Sequence, residues 1–203
     1  MIGDITLTLS LIITAYLLGS IPSAYIVGRL LKGLDMREVG DGRMGAAATL
    51  RQVGFWGMVM VGLMDVNKGI IAVVLSQTLG MPLYVTVIAA IMAVTGHNWS
   101  VFLRFQGGKG ALTTYGVLLS LVFWQFFIAL GIGGAAFYST HKTGLSTGVL
   151  LGSLSLINWF TGSPILITIL PLIIAIPMML KHTSTPKVYE PAEINEDLQS
   201  KKA

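Results

Sequence analysis

Long apolar runs, each about deep enough to cross a bilayer, alternate along this chain with short polar segments that carry most of its basic residues. A hydrocarbon core of ~30 Å takes roughly 20 apolar residues at helical rise. Residues 5–28 hold no charge and predict a first helix, bent by Gly19 and Pro22. Residues 55–76 predict a second, with Asp65 and Lys68 near its middle. The third covers 82–103 and is interrupted late, at Gly96-His97-Asn98-Trp99. Stretches 111–140 and 143–180 are free of charge, and the latter divides into two spans at 158–164. Gly144, Gly148 and Gly152 recur every four residues, a spacing that predicts close helix packing. Residues 183–203, rich in Ser, Pro, Glu and Lys, read as a solvated tail after a membrane domain of residues 1–182. No inverted internal repeat is visible.

Charge orients the spans. Arg29, Lys32, Arg37, Arg43 and Arg51 fall between the first and second runs, Arg104 and Lys109 after the third, and Lys181 and Lys187 after the last. The connections 77–82 and 158–164 carry none. Basic segments stay in the cytoplasm, which puts the amino terminus outside and the carboxyl terminus inside. Lys109 and Lys142 then share a side only if 111–140 goes out and returns, in two legs of about 15 residues or ~22 Å each. Such legs are short, tilted or partly re-entrant, and the total becomes about seven transmembrane helices in an all-α integral membrane protein. The amino terminus lacks the basic flank of a signal peptide, so the first helix is expected to stay in the mature protein.

Composition narrows the class further. Of 203 residues, 54% are apolar and 11% charged, and the net charge is +4. Soluble domains carry about 25% charged residues, so a soluble globular enzyme, a disordered chain and a nucleic-acid binder are excluded. The absence of cysteine removes disulfides, a thiolate nucleophile and thiolate-bound metal. His97, His141 and His182 lack metal-site spacing, and no carboxylate adjoins any of them in sequence. No metal or cofactor is expected. No histidine has an aspartate four residues later, and no Gly-x-Ser-x-Gly elbow occurs.

Two connectors are richer in glycine than turns require. Gly40, Gly42, Arg43 and Gly45 precede Arg51, while Gly107, Gly108, Lys109 and Gly110 precede Thr113 and Thr114. Glycine lets backbone N–H groups converge on an anion, and Lys or Arg adds full charge. Neither loop is a Walker A motif. Two such loops on one face point to phosphate-bearing substrates, against the plainer reading of turns and topology anchors. Asp65 and Lys68, three apart on one helix, pair on one face and chiefly structure that helix.

Gly19-Ser20-Ile21-Pro22-Ser23, Arg37-Glu38-Val39-Gly40, Met44-Gly45-Ala46 and Leu50-Arg51 together resemble the first signature of the bacterial acyl-phosphate:glycerol-3-phosphate acyltransferases, the PlsY family. Leu63-Met64-Asp65-Val66-Asn67-Lys68-Gly69 resembles that family's next helix. Gly96-His97-Asn98-Trp99-Ser100-Val101-Phe102 followed by Phe105-Gln106-Gly107-Gly108-Lys109-Gly110 closely resembles its second signature. The resemblance implies an enzyme of the bacterial inner membrane that moves an acyl chain from acyl phosphate to the 1-hydroxyl of glycerol 3-phosphate, giving lysophosphatidate, with membrane lipid around it. It implies that Lys109 with Gly107, Gly108 and Gly110 holds phosphate, with Gly40, Gly42, Arg43 and Gly45 as the second phosphate-binding set. Arg51 would bind glycerol phosphate or stabilise developing charge, and His182 matches the histidine of the third signature.

The first signature departs from the family's usual Gly-Ser-Gly-Asn-x-Gly-Ala-Thr-Asn. Asp41 replaces serine, Arg43 the first asparagine, Ala47 threonine and Ala48 the second asparagine. After His182 the usual asparagine is Thr185. These changes leave a second reading open: a silent or acceptor-altered member serving as a membrane binding or assembly subunit. A carboxylate beside a bound phosphate is repulsive, so Asp41→Ser combined with Arg43→Asn is expected to raise acyl transfer. Comparing lysophosphatidate formation by the two proteins checks this; no gain would make both changes irrelevant to turnover.

Overall fold

The computed structural model describes residues 2–40 and 42–183, and among them every regular element is helical. The order is α1 (Ile2–Ser20), α2 (Ser23–Lys32), α3 (Ala46–Gln52), α4 (Phe55–Thr78), α5 (Leu83–Asn98), a 3-10 turn (Val101–Leu103), α6 (Ala111–Leu121), α7 (Phe123–Thr140), α8 (Thr143–Phe160) and α9 (Ile165–Thr183). Ile5–Lys32, Phe55–Thr78 and Leu83–Leu103 are long and apolar enough to cross a bilayer, while Ala111–Leu121 and Ile165–Lys181 are shorter apolar helices. Leu9, Ile13, Leu63, Ile128 and Ile176 stay exposed, as an apolar exterior facing lipid requires.

Three expectations change in detail. The bend at Gly19 and Pro22 is a full break, because α1 stops at Ser20 and α2 restarts at Ser23. The third run continues through Gly96, His97 and Asn98 and breaks only at Trp99. The 111–140 stretch is divided unequally, into helices of 11 and 18 residues joined at Val122. The Tyr115 and Phe126 ring centroids lie 5.7 Å apart. In one continuous helix those positions would be about 16 Å apart along the axis, so the chain bends sharply at Val122.

Among the described residues the helices pack around three apolar centres, the smallest of them made of Ala15, Ala72, Ala89 and Ala93. The larger of the other two joins Val73, Val94, Val117, Leu118, Leu154, Leu170 and Ile174, drawn from α4, α5, α6, α8 and α9. The smaller, of Val27, Met36, Met44, Ala48, Val61 and Leu103, lies beneath the first polar connector. Close backbone approach joins the pairs. A Cβ at Gly19 would meet the Ala93 carbonyl and one at Gly96 the Tyr16 carbonyl, locking α1 to α5. Gly69 faces the Thr113 carbonyl and Gly116 the Val66 carbonyl, locking α4 to α6. Such small-residue contacts substitute for a hydrophobic drive that lipid does not supply.

The α8 glycines do not behave this way. Among the described residues a Cβ at Gly148 or Gly152 would meet nothing within 4 Å, so these two glycines make no close helix contact there. The α7–α8 contact instead uses Gly133 against Leu150 and Ser146. At the turn between α8 and α9, the Asn158 amide donates to the Ile167 carbonyl at 3.4 Å, so the two helices run back on each other.

The contrast yields a paired prediction. Gly116→Ala is expected to cost about 1–3 kcal/mol by forcing α4 and α6 apart. Gly148→Ala is expected to leave stability unchanged or slightly higher, since alanine is the better helix former. Thermal unfolding of both variants in detergent checks the difference, and equal Tm values would refute the proposed lock.

Candidate functional site

The connector between α2 and α3 is anchored by one acid. Asp35 is buried, accepting from the Arg37 guanidinium at 2.7 Å and from Arg29 at 3.1 Å. The Arg37 backbone N–H also donates to it, at 3.0 Å. Both guanidiniums lie over the Tyr25 ring, 5.6 and 5.2 Å from its centroid. Met36 is fully buried against Gly28, which plugs the connector into the smaller core. The chain then passes through Gly40 and Gly42, both at positive φ, and enters α3 at Gly45.

The second connector folds over the carboxyl end of α5. Arg104 and Phe105 are both left-handed, at φ 53° and 63°, a strained reversal for residues with side chains. It brings Gly107 against the carbonyls of His97 and Asn98, while the Gly108 N–H donates to the His97 carbonyl at 3.2 Å. A Cβ at Gly108 would collide with both His97 Nε2 and the Met44 carbonyl. Gly108 is therefore where the two glycine loops meet. Gly110, left-handed, starts α6 against the Asn98 side chain.

Below this junction lies a buried polar cluster. One carboxylate oxygen of Asp65 accepts from Ser23 Oγ at 2.8 Å and from Lys68 Nζ at 2.8 Å. His97 Nδ1 stands 3.4 Å from the same oxygen. Lys68 also donates to the Ile21 carbonyl, at the break between α1 and α2, and Ser100 donates to the Ser20 carbonyl beside it. A cavity of about 10 Å³ opens among Ser20, Ser23, Asp65, Lys68, His97 and Gly108. That is room for about one water. An open groove of about 430 Å³ adjoins it through Pro22 and Leu103, with Tyr25, Ile26, Phe102 and Arg37 as its other walls.

Residues 9–188 match the glycerol-3-phosphate acyltransferase family. The chain belongs to this family. It is 51% identical over 126 residues to glycerol-3-phosphate acyltransferase 2 of Moorella thermoacetica, a stretch covering 60% of this chain and 64% of that protein. With the corresponding protein of Dehalococcoides mccartyi it shares 34% over 175 residues, covering 83% of each. The crystal structure of PlsY (YgiH) in its glycerol 3-phosphate form superposes with a TM-score of 0.78 at 27% identity, over 92% of this chain and 98% of that one. The lysophosphatidic acid form gives the same score over 95% and 92%.

Within this acyltransferase the sequence-selected residues fall at one end of the helix bundle. Lys109 is half-buried beside Gly108, Arg43 is exposed just before Met44, and Arg51 is exposed in the last turn of α3. His182 is in the last turn of α9, and its side chain lies outside the described residues, as does Asp41. The neighbouring Lys181 places that end of α9 at the junction, its Nζ 6.0 Å from the Trp99 ring centroid. Among the described residues no cluster of His, Asp or Glu has the makings of a metal site. Sequence reasoning missed Ser23, His97 and Asn98. The expectation that Asp65 and Lys68 pair holds, but the acid reaches a histidine 32 positions away. The one available signal was that both residues lie in matched signatures.

Asp35 carries a pH consequence. Hydrogen bonds from Arg37, with Arg29 adding charge, hold its carboxyl well below the usual carboxylate range. A depressed folded-state pKa contributes stability above the unfolded value of about 4, and that stability is lost as pH falls through the folded value. Asp35→Asn is therefore expected to lower Tm at neutral pH, with the gap to the parent closing under acid. A gap independent of pH between 7 and the acid limit of the folded protein would refute it.

Proposed function

We propose that this family member transfers an acyl chain from acyl phosphate to the 1-hydroxyl of glycerol 3-phosphate, releasing lysophosphatidate and inorganic phosphate, on the cytoplasmic face of the membrane. The observation that carries the reading is the meeting of the two glycine loops at Met44 and Gly108, with Lys109 beside them. The phosphate groups of glycerol 3-phosphate and lysophosphatidic acid, for which the two forms of PlsY are named, suit that junction. The accumulation of Arg29, Arg37, Arg43, Arg51, Arg104 and Lys109 in the connectors at this end supports the cytoplasmic assignment and a bundle of seven crossings.

The chemistry asks little of the protein beyond placement. Acyl phosphate is an activated mixed anhydride, so the hydroxyl oxygen bonds to the carbonyl carbon as the carbon–oxygen bond to phosphate breaks. The hydroxyl proton passes to a phosphate oxygen, and no covalent enzyme intermediate is needed. The protein acts by holding two phosphates and aligning hydroxyl with carbonyl. Lys109, Gly107, Gly108 and Gly110 hold one phosphate in this reading. Gly40, Gly42, Arg43 and Gly45 serve the other, with Arg51 and His182 on the acceptor. The groove beside Tyr25 and Phe102 offers the acyl chain an apolar wall, with Arg37 at its rim.

Purified protein in detergent, given palmitoyl phosphate and glycerol 3-phosphate, is expected to release phosphate and lysophosphatidate in equal amounts. Lys109→Ala is expected to reduce turnover by about a hundredfold or more, the scale of losing a charged group that contacts the transferring phosphate. Unchanged turnover in Lys109→Ala would overturn the role of the second loop. Phosphate without lysophosphatidate would identify a changed acceptor.

A further inference from the structure

Resting on the acyltransferase reading, we infer that Asp65 and His97 are positioning residues for the second glycine loop: the buried carboxylate holds the imidazole, and the imidazole sets where Gly108 and Lys109 stand. His97 is nearly buried, at 9% exposure, in the last turn of α5. Its Nδ1 faces Asp65 Oδ1 at 3.4 Å. Ionised Asp65 accepts, so Nδ1 carries the proton and the other edge of the ring, at Nε2, lies under Gly108. The same residue supports the loop a second time, its carbonyl accepting from the Gly108 N–H at 3.2 Å. Only glycine fits above the ring, and the Met44 carbonyl closes the other side. The ring is therefore wedged between α4 and the loop junction.

The acid is itself held from three elements. Ser23 reaches it from α2 and Lys68 from its own helix, at 2.8 Å each, and Lys68 continues to the Ile21 carbonyl. A rigid chain of contacts thus runs from the α1–α2 break through α4 and α5 to the residue before Lys109. A structural ion pair alone would need only Asp65 and Lys68. The histidine, drawn from another helix and touching the loop, is what ties the cluster to the site. Misplacing a reacting group by about 1 Å costs up to about a hundredfold in rate.

Two variants of the full chain in detergent test this. His97→Asn keeps a donor near Asp65 but removes the ring edge beneath Gly108. Asp65→Asn combined with Lys68→Met removes both buried charges together, avoiding an unpaired one. Each is expected to lower kcat for lysophosphatidate formation by about tenfold or more at a temperature where the variant remains folded. Amide hydrogen exchange across 104–111 is expected to quicken while the helices keep parent rates. Parent-like kcat and loop exchange in both variants would overturn the inference. So would exchange that rises throughout the chain in step with a falling Tm, which marks a role in stability alone. If the parent makes no lysophosphatidate, the acyltransferase reading fails by itself, and loop exchange still decides whether His97 positions the loop.

Discussion

An ionised carboxylate inside a bundle of apolar helices survives only if every contact around it is favourable, and Asp65 obtains its contacts from three separate segments. Ser23 and Lys68 each approach it at 2.8 Å, and His97 stands at 3.4 Å. Removing one partner would leave a buried charge short of the contacts that offset its desolvation. The requirement therefore constrains more than the pair. It holds α2 to α4 through Ser23, α4 to α5 through His97, and the α1–α2 break to both through the Lys68 bond to the Ile21 carbonyl. The break at Ile21 and Pro22 then has a physical use: it frees a carbonyl from the helical ladder that a buried lysine can take up.

Glycine serves two purposes in this chain, and the structure separates them. Gly19, Gly96, Gly69 and Gly116 let helix backbones touch. Gly107, Gly108 and Gly110 are also close-packed, against His97, Asn98 and Met44. Packing and anion binding do not compete here. A loop pressed onto the end of α5 has one side committed to the protein, and in the proposed reading its other side keeps a fixed backbone for phosphate. Such pre-organisation suits a reaction whose leaving group is already activated and whose barrier yields to alignment.

Much of the helical order was legible in the sequence, because a bilayer demands uncharged runs of fixed length. The breaks near 20–22 and 158–164, the division of 111–140 into two helices, and the pairing of Asp65 with Lys68 all follow from charge, glycine and proline. What was not legible depends on contacts between distant segments. Sequence places no carboxylate beside His97, yet α4 and α5 bring Asp65 to it. The four-residue glycine repeat of α8 looked like a packing face, but among the described residues Gly148 and Gly152 make no close helix contact. A repeat reports that a close approach is sterically allowed; whether a helix lies there is decided by the rest of the bundle. The unequal halves at Val122 were hidden for a similar reason, since an uncharged run of thirty residues carries no mark of where it turns.

The altered first loop takes its meaning from this division of labour. The residues that hold the loop in place are intact: Asp35 keeps both arginines, Met36 fills the smaller core, and Met44 closes on Gly108. The family's usual polar groups are replaced at Asp41, Arg43, Ala47 and Ala48, of which Arg43 and Ala47 are exposed and Ala48 is buried in the same smaller core. Arg43 and Ala47 thus change the exposed side of the loop, while Ala48 adds a methyl group to the core that supports it. Loss of purpose would be expected to relax both alike, since an unused loop gains nothing from a buried acid that needs two arginines. In the proposed reading, a loop still held by a buried acid and two arginines is a loop whose position matters, whatever its altered side chains now contact.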